Sequence, residues 1–416
     1  MPYTSAPPGP TRQSDRYEIM DVLRGFALLG VLIANLVELG GVDVLATAHQ
    51  LAALPSAAID ARTSWWLDLL VFDKANTLFA VLFGAGFWIM LERLNARAAP
   101  FERIYLRRIS LLTAFGLLHL FGWFAWDILH VYGLMAFLLL LSRNLSSRTM
   151  LLIGLPLLLF ARPVLEWTIE QSETLSGMMN LAYTDAAILE RQSVALSGDI
   201  VAWVSAMNEM TWQDWILSGT MVAWFAYALG RFFIGAWIVR QGVIQSAERH
   251  LPLVRACTIP LLGLGFGLQV IVLTLQDGPA GTWTSSAPLA LDLTQGVATP
   301  LIAAGYVCLL TQLFFGTRTR WLVQPFAPVG QMALTNYLLQ SPFIILVLGG
   351  WGPGLGLAGE AGSTAYTLLA LAFFAAQVLF SHYWMKAFAY GPAEWVWRAL
   401  TYQTRPKMRR TSTPTA

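Results

Sequence analysis

The chain has 416 residues, of which 56% are hydrophobic and only 12% charged, with a mean hydropathy of +0.58. Soluble domains carry charge on about a quarter of their residues, so composition excludes one and indicates an all-α, polytopic membrane helix bundle. The net charge of +2 is unremarkable, and nucleic acid is not expected as a partner. Cys257 and Cys308 are too few for a disulfide framework and fall in apolar runs, where they read as small packing residues.

About ten spans follow from apolar runs of bilayer-crossing length: 19–39, 75–92, 108–125, 127–142, 149–166, 214–238, 254–275, 293–315, 326–349 and 364–386. No cleaved leader is expected, because Asp21 and Arg24 interrupt the first run. Residues 60–74 read as an amphipathic approach to the second span. The chain then divides into a disordered tail (1–15), a membrane half with five spans (16–166), a loop with short amphipathic helices (167–213), a second membrane half (214–402) and a basic disordered tail (403–416). Placing the N-terminus in the cytoplasm puts all 26 Lys and Arg inside except Arg62, Lys74, Arg162 and Arg191, so both termini are expected to be cytoplasmic. The 167–213 loop, with Glu170, Glu173, Asp185, Glu190, Asp199 and Glu209 against Arg191, then lies outside.

Polar groups in hydrocarbon are costly and mark functional candidates. In the first span Asp21, Arg24, Leu28, Val31, Asn35 and Glu38 step by three and four, sharing one face. That face either carries an anchoring Asp21–Arg24 pair or lines a cavity running from one membrane surface to the other; Gly25 and Gly30 suit close packing. Lys74 opens the second span and either snorkels outward or meets a carboxylate, while Gly84 and Gly86 admit a neighbouring helix. The third and fourth spans form a hairpin with His119 near its tip and Asp127 and His130 one turn apart beyond it. An imidazole beside a carboxylate suits general-base chemistry; it equally suits a hydrogen-bonded packing histidine. No metal-ligand spacing links these residues to His49, His250 or His382.

Later in the chain, Arg162 and Glu166 are an i,i+4 pair, and Arg231 needs a partner or an anion. Gly263, Gly265 and Gly267 read as helix packing, and GLGLAG at 354–359 reads as a loop with no preceding strand. In GQMALTNYLLQSPF, Asn336 and Gln340 share a face and Pro342 should kink the helix. GPAEWVWRALTY reads as an interfacial helix, with Pro392 in its first turn and Glu394 spaced to pair with Arg398.

The segments MDVLRGFALLGVLIANL, KANTLFAVLFGAGF, HLFGWFAWDILHVYGL, GQMALTNYLLQS and GPAEWVWRALTY resemble the YeiB-like family of bacterial multi-pass membrane proteins, a domain of unknown function, from about residue 16 to 402. The chain is more distantly similar to transmembrane acyltransferases, including heparan-alpha-glucosaminide N-acetyltransferase. The resemblance matches Asp21 and Arg24 to the shared opening, and His119 and Asp127 to the hairpin motif. Asn35 stands where sugar O-acyltransferases have histidine, Ala125 where the family often has a second acid, and Gln331 where it usually has arginine. It implies a bacterial inner-membrane protein that moves an acyl group from cytosolic acyl-CoA to an outer glycan, lipid or amine. No tightly bound cofactor is expected, and a homodimer is allowed. Expected roles are His119 as general base oriented by Asp127, Lys74 or Asn35 steadying an oxyanion, and Arg24, Arg107, Arg108 and Arg231 on the CoA phosphates. Asp21, Glu38, His130, Asn336 and Gln340 would form the supporting polar network. The alternative reading is a transporter or exporter of a small amphiphile or lipid.

Overall fold

The computed structural model describes residues 17–96, 101–122, 124–276 and 289–410. The expected 1–15 tail, residues 411–416 of the basic tail, and Arg12, Arg16 and Arg97 of the charge count lie outside them.

The described residues form an all-helical bundle whose only bridges are isolated, Val42 with Ala46 and Phe388 with Arg409. In chain order the helices are α1 (Glu18–Gly40), α2 (Ala57–Leu70), α3 (Lys74–Ala96), α4 (Phe101–Gly122) and α5 (Ile128–Leu141). Next comes α6 (Ser147–Glu170), which passes through a π-helical turn at Leu157–Ala161, just after Pro156. The 167–213 segment folds as α7 (Glu173–Ala182), α8 (Asp185–Ser197) and α9 (Ile200–Met210). Side chains of Ser172, Thr184 and Asp199 accept the first free amides of these three helices, which is what fixes their starts. The chain continues through α10 (Thr220–Arg240), α11 (Leu251–Leu275), α12 (Leu289–Phe315), α13 (Ala333–Leu348), α14 (Ser363–Ala387) and α15 (Pro392–Tyr402). Among the described residues, eight helical stretches are long and apolar enough to cross a membrane, with α2 and α3 counted as one; α5 and α13 are shorter apolar helices. Each falls on one of the ten expected runs.

α1, α3 and α10 are the most buried spans, whereas α11 is the least buried and presents Leu253, Ile259, Leu264 and Leu275 outward. That inversion of the soluble pattern is expected where lipid is the solvent. Glycine sets the closest approaches. A Cβ on Gly84 would meet the Phe232 carbonyl oxygen at 2.2 Å, and one on Gly235 would meet that of Val81 at 2.0 Å, so α3 and α10 touch backbone to backbone. The α4–α5 hairpin closes in the same way: Gly116 would clash with the His130 amide at 2.1 Å and Gly133 with Thr113 Oγ1 at 2.2 Å. In α11 only Gly265 packs, against Ile302, while Gly263 and Gly267 face open space. The packing expectation for those two is therefore corrected.

Gly116→Val should lower thermal stability by about 1–3 kcal/mol through overpacking, read as a lower melting temperature in detergent. Gly267→Ala, with nothing near its Cβ, should leave it unchanged or slightly raised.

Residues 403–410 correct another expectation. They fold back on the end of α14, with Ala389 N–H donating to Met408 O at 2.9 Å and Arg410 N–H to Ala387 O at 3.1 Å. Trp395 Nε1 holds Pro406 O at 2.7 Å.

Candidate functional site

α4 and α5 are held in register by Gly116 and Gly133, and this places His119, in the last turn of α4, beside the start of α5. Asp127 is the N-cap of α5. Its Oδ2 accepts the His130 backbone N–H at 2.8 Å and lies 3.2 Å from His130 Nδ1. Its Oδ1 lies 2.8 Å from His119 Nδ1 and accepts the Tyr337 hydroxyl at 3.3 Å. On the other side of the ring, His119 Nε2 is 2.7 Å from Ser341 Oγ. The five side chains are at most 4% exposed.

Four contacts fill the four lone-pair directions of an ionised carboxylate. An ionised carboxylate only accepts, so the neutral tautomer that fits this geometry carries its proton on His119 Nδ1 and turns the Nε2 lone pair to the Ser341 hydroxyl. Serine, imidazole and carboxylate thus stand in the order used for nucleophilic acyl transfer. His130 differs: its Nε2 is buried without a hydrogen-bond partner among the described residues, and its ring faces Trp215 at 5.3 Å.

Aromatic rings close the cluster on the α7–α9 side. Phe124 stacks on His119 at 5.3 Å, and Trp126 donates to Asp214 Oδ2 at 2.9 Å. Trp126 has φ +61°, a left-handed conformation that bulky residues avoid. Such strain costs about 1–3 kcal/mol and persists where the surroundings enforce it.

From the opposite end, a cavity of about 270 Å³ descends toward the cluster. Arg24, Arg93, Arg108 and Arg398 line it, together with Phe79, Phe83, Phe87 and Tyr132. Ile128 and Tyr337 also line it; Ile128 follows Asp127 in sequence, and the Tyr337 hydroxyl reaches Asp127 Oδ1 at 3.3 Å. Tyr337 precedes Ser341 by one helical turn on α13, so the buried serine lies one turn from a cavity residue, while Ser341, His119 and Asp127 themselves are not part of the lining. The acids in the wall are engaged. Asp21 pairs with Arg24 at 3.0 Å. Glu394 accepts the Leu334 and Thr335 amides at 2.6 and 3.1 Å and the Thr335 hydroxyl at 2.5 Å. Burial pushes the Glu394 carboxyl above the usual range, while these donors pull it the other way. Glu394 therefore caps α13, a role different from the expected pairing within α15.

The expected site residues divide. His119 and Asp127 come together, with His130 attached. Arg24 and Arg108 line the cavity, and Arg108 lies 3.7 Å over the Trp397 ring. Arg107 instead donates to Thr401 O at 2.9 Å, at the end of α15. Arg231 is fully buried over the Tyr227 ring, with Nε and Nη2 unpartnered among the described residues. Asn336 donates to Ser381 Oγ at 3.0 Å and Gln340 to Gln377 Oε1 at 3.2 Å, a network tying α13 to α14.

Lys74 and Asn35 do not hydrogen-bond to the His119 cluster. Lys74 is buried rather than snorkelling; it donates to the Asp68 carbonyl across the α2–α3 turn and lies near enough to feel the Asp73 and Asp68 carboxylates. It belongs to a second cluster, where Arg162 Nη1 contacts both Asp73 oxygens at 2.8 and 2.9 Å and Nε contacts Glu166 at 2.9 Å. Glu38 lies near enough to feel the charges of Asp73 and Arg162. The polar face of α1 is thus divided: Asp21 and Arg24 serve the cavity, and Glu38 the second cluster. The cavity does not run along the whole face.

Sequence reasoning missed Ser341 and Tyr337, which lie 222 and 210 residues from their partners. The usable signal was their i,i+4 spacing, two hydroxyls on one face of α13.

Residues 238–404 match the family model described as a protein of unknown function (DUF418). The chain is 30% identical to the uncharacterized protein YeiB of Escherichia coli (strain K12) over 96% of this chain and 100% of that protein. It is 28% identical to the uncharacterized protein YxaH of Bacillus subtilis (strain 168), over 94% of this chain and 96% of the relative. No solved structure matches it.

Proposed function

We propose that this chain, which belongs to the YeiB-like DUF418 family of unknown function, is a membrane-embedded acyltransferase. It takes an acyl group from cytosolic acyl-CoA and delivers it to a hydroxyl or amine on the far side of the membrane. The observation that carries this reading is His119, held between Asp127 at 2.8 Å and Ser341 at 2.7 Å, with Tyr337 joining Asp127 to the wall of an arginine-lined cavity.

The cavity suits the donor. Arg24, Arg93, Arg108 and Arg398 offer charge-assisted hydrogen bonds to the CoA phosphates, and the aromatic wall beyond them suits an apolar chain. The excess of basic residues at the ends and loops on this side makes it the cytoplasmic face, with both termini inside and α7–α9 outside. The membrane is the bacterial inner membrane, and the acceptor is a glycan, lipid or amine. His119 acts as general base, and Asp127 fixes its tautomer and stabilises the imidazolium that forms.

In proteoliposomes given labelled acyl-CoA, with a membrane extract outside as acceptor source, label should pass to an extract component. Net movement of unmodified acceptor without acyl transfer would instead identify a transporter. Arg24→Ala and Arg108→Ala should each raise KM for acyl-CoA by about tenfold with little change in kcat, the size expected for losing one charge-assisted contact in the ground state. A kcat loss at unchanged KM would remove these residues from the donor site.

A further inference from the structure

We propose that Ser341 is a catalytic nucleophile that carries the acyl group between donor and acceptor as an ester; the assignment rests on the acyl-transfer reading above. The reason is the occupancy of His119. Its Nδ1 proton is directed to Asp127 at 2.8 Å, and its Nε2 lone pair is taken by the Ser341 hydroxyl at 2.7 Å. A base whose free nitrogen already holds a serine proton removes that proton first. An acceptor hydroxyl or amine can use Nε2 directly only after Ser341 has moved away.

The position of Ser341 fits the role. It is 2% exposed, away from bulk water that would hydrolyse an ester, yet one turn behind Tyr337 of the cavity wall. The next residue, Pro342, has no N–H, so the Leu338 carbonyl lacks its helical donor and the turn bearing Ser341 is less constrained.

The two steps balance. Ser341 Oγ attacks the thioester carbonyl carbon and the carbon–sulfur bond breaks. The Oγ proton passes through His119 Nε2 to the CoA sulfur, releasing the free thiol and leaving the acyl group on Ser341. The acceptor then attacks the ester carbonyl. Its proton goes to the vacated Nε2 and on to Ser341 Oγ as the acylated acceptor departs. Donor and acceptor need never occupy the site together.

The test uses the full chain in nanodiscs with acetyl-CoA and octanoyl-CoA as donors and no acceptor, followed by acid quench, digestion and mass analysis. The expected result is an acylated Ser341 peptide that hydroxylamine strips as the hydroxamate, absent in Ser341→Ala and His119→Ala. In parallel, a fluorophosphonate probe, which reports serine activation without any CoA ester, should tag Ser341 in a His119-dependent way. Tagging of Ser341 without transfer from either donor supports the nucleophile and overturns the acyl-CoA reading. With a membrane extract then added as acceptor source, transfer from acyl-CoA that persists in Ser341→Ala, with no tag on the wild type, overturns the nucleophile and leaves the acyl-CoA reading standing. Failure of both overturns both. If Ser341→Ala does not fold, Ser341→Cys carries the test, because its adduct is a thioester that neutral hydroxylamine cleaves. Transfer-competent Ser341→Cys without such an adduct counts against the proposal.

Discussion

His119→Ala should reduce acyl transfer by about 100- to 10,000-fold, the range a positioned general base contributes. That corresponds to roughly 3–5 kcal/mol on the barrier. The variant removes the only group that bridges Asp127 and Ser341 among the described residues, the two contacts being 2.8 and 2.7 Å. It also takes one of the four contacts from Asp127, while His130 and Tyr337 remain to hold the carboxylate in place. The fold should therefore survive better than the activity, and a melting curve recorded beside the rate separates the two effects. Asp127→Asn should be comparably severe for a different reason. An amide NH₂ turned toward Nδ1 favours the proton on Nε2, the tautomer that cannot accept from Ser341. Transfer at wild-type rate in His119→Ala would remove this residue from the chemistry.

Arg162→Ala should produce the largest loss of stability, about 3–5 kcal/mol, the cost of leaving a buried ion partner uncompensated. The Arg162 and Asp73 side chains are only 8% and 16% exposed, and the same guanidinium also holds Glu166. Removing it leaves two carboxylates near one another, with Glu38 close by and little water to screen them. The consequence is a sharply lower melting temperature and aggregation during extraction. Asp73→Asn should be milder, because asparagine tolerates the left-handed backbone found at Asp73, φ +62°. Combining Arg162→Met with Asp73→Asn should recover part of the loss, giving a coupling energy measurable in a double-mutant cycle. Equal melting of Arg162→Ala and the wild type would show that the cluster is not a structural clamp.

Much of the bundle was legible because hydrocarbon imposes a length and a composition on every span, and both can be read locally. The His119–Asp127 contact was legible too, since a tight hairpin brings residues eight apart in sequence together. Ser341 was not. Its partner lies 222 residues away, and a serine in an apolar helix carries no local sign of what it faces. Glu394 misled for a related reason. Met332, at the start of α13, supplies no side-chain cap, so the helix takes its cap from an acid about 60 residues later. Local spacing within α15 offered Arg398 as the partner instead. Lys74 was placed correctly at the head of a span but in the wrong company. The turn between α2 and α3 brings the Asp68 carbonyl onto it, and helix periodicity does not describe turns. The α1 stripe shows the same limit: periodicity put Asp21 and Glu38 on one face, and tertiary packing assigned them to different clusters.

Acyl transfer across the membrane is tested most directly by a sided measurement. Protein is reconstituted into sealed vesicles with its termini facing the lumen, labelled acyl-CoA is enclosed, and acceptor extract is supplied only outside. Acyl label is expected on an external acceptor, with free CoA retained in the lumen and both signals lost in His119→Ala. Label that stays inside with wild-type vesicles, or crosses as intact acyl-CoA, would contradict acyl transfer across the membrane.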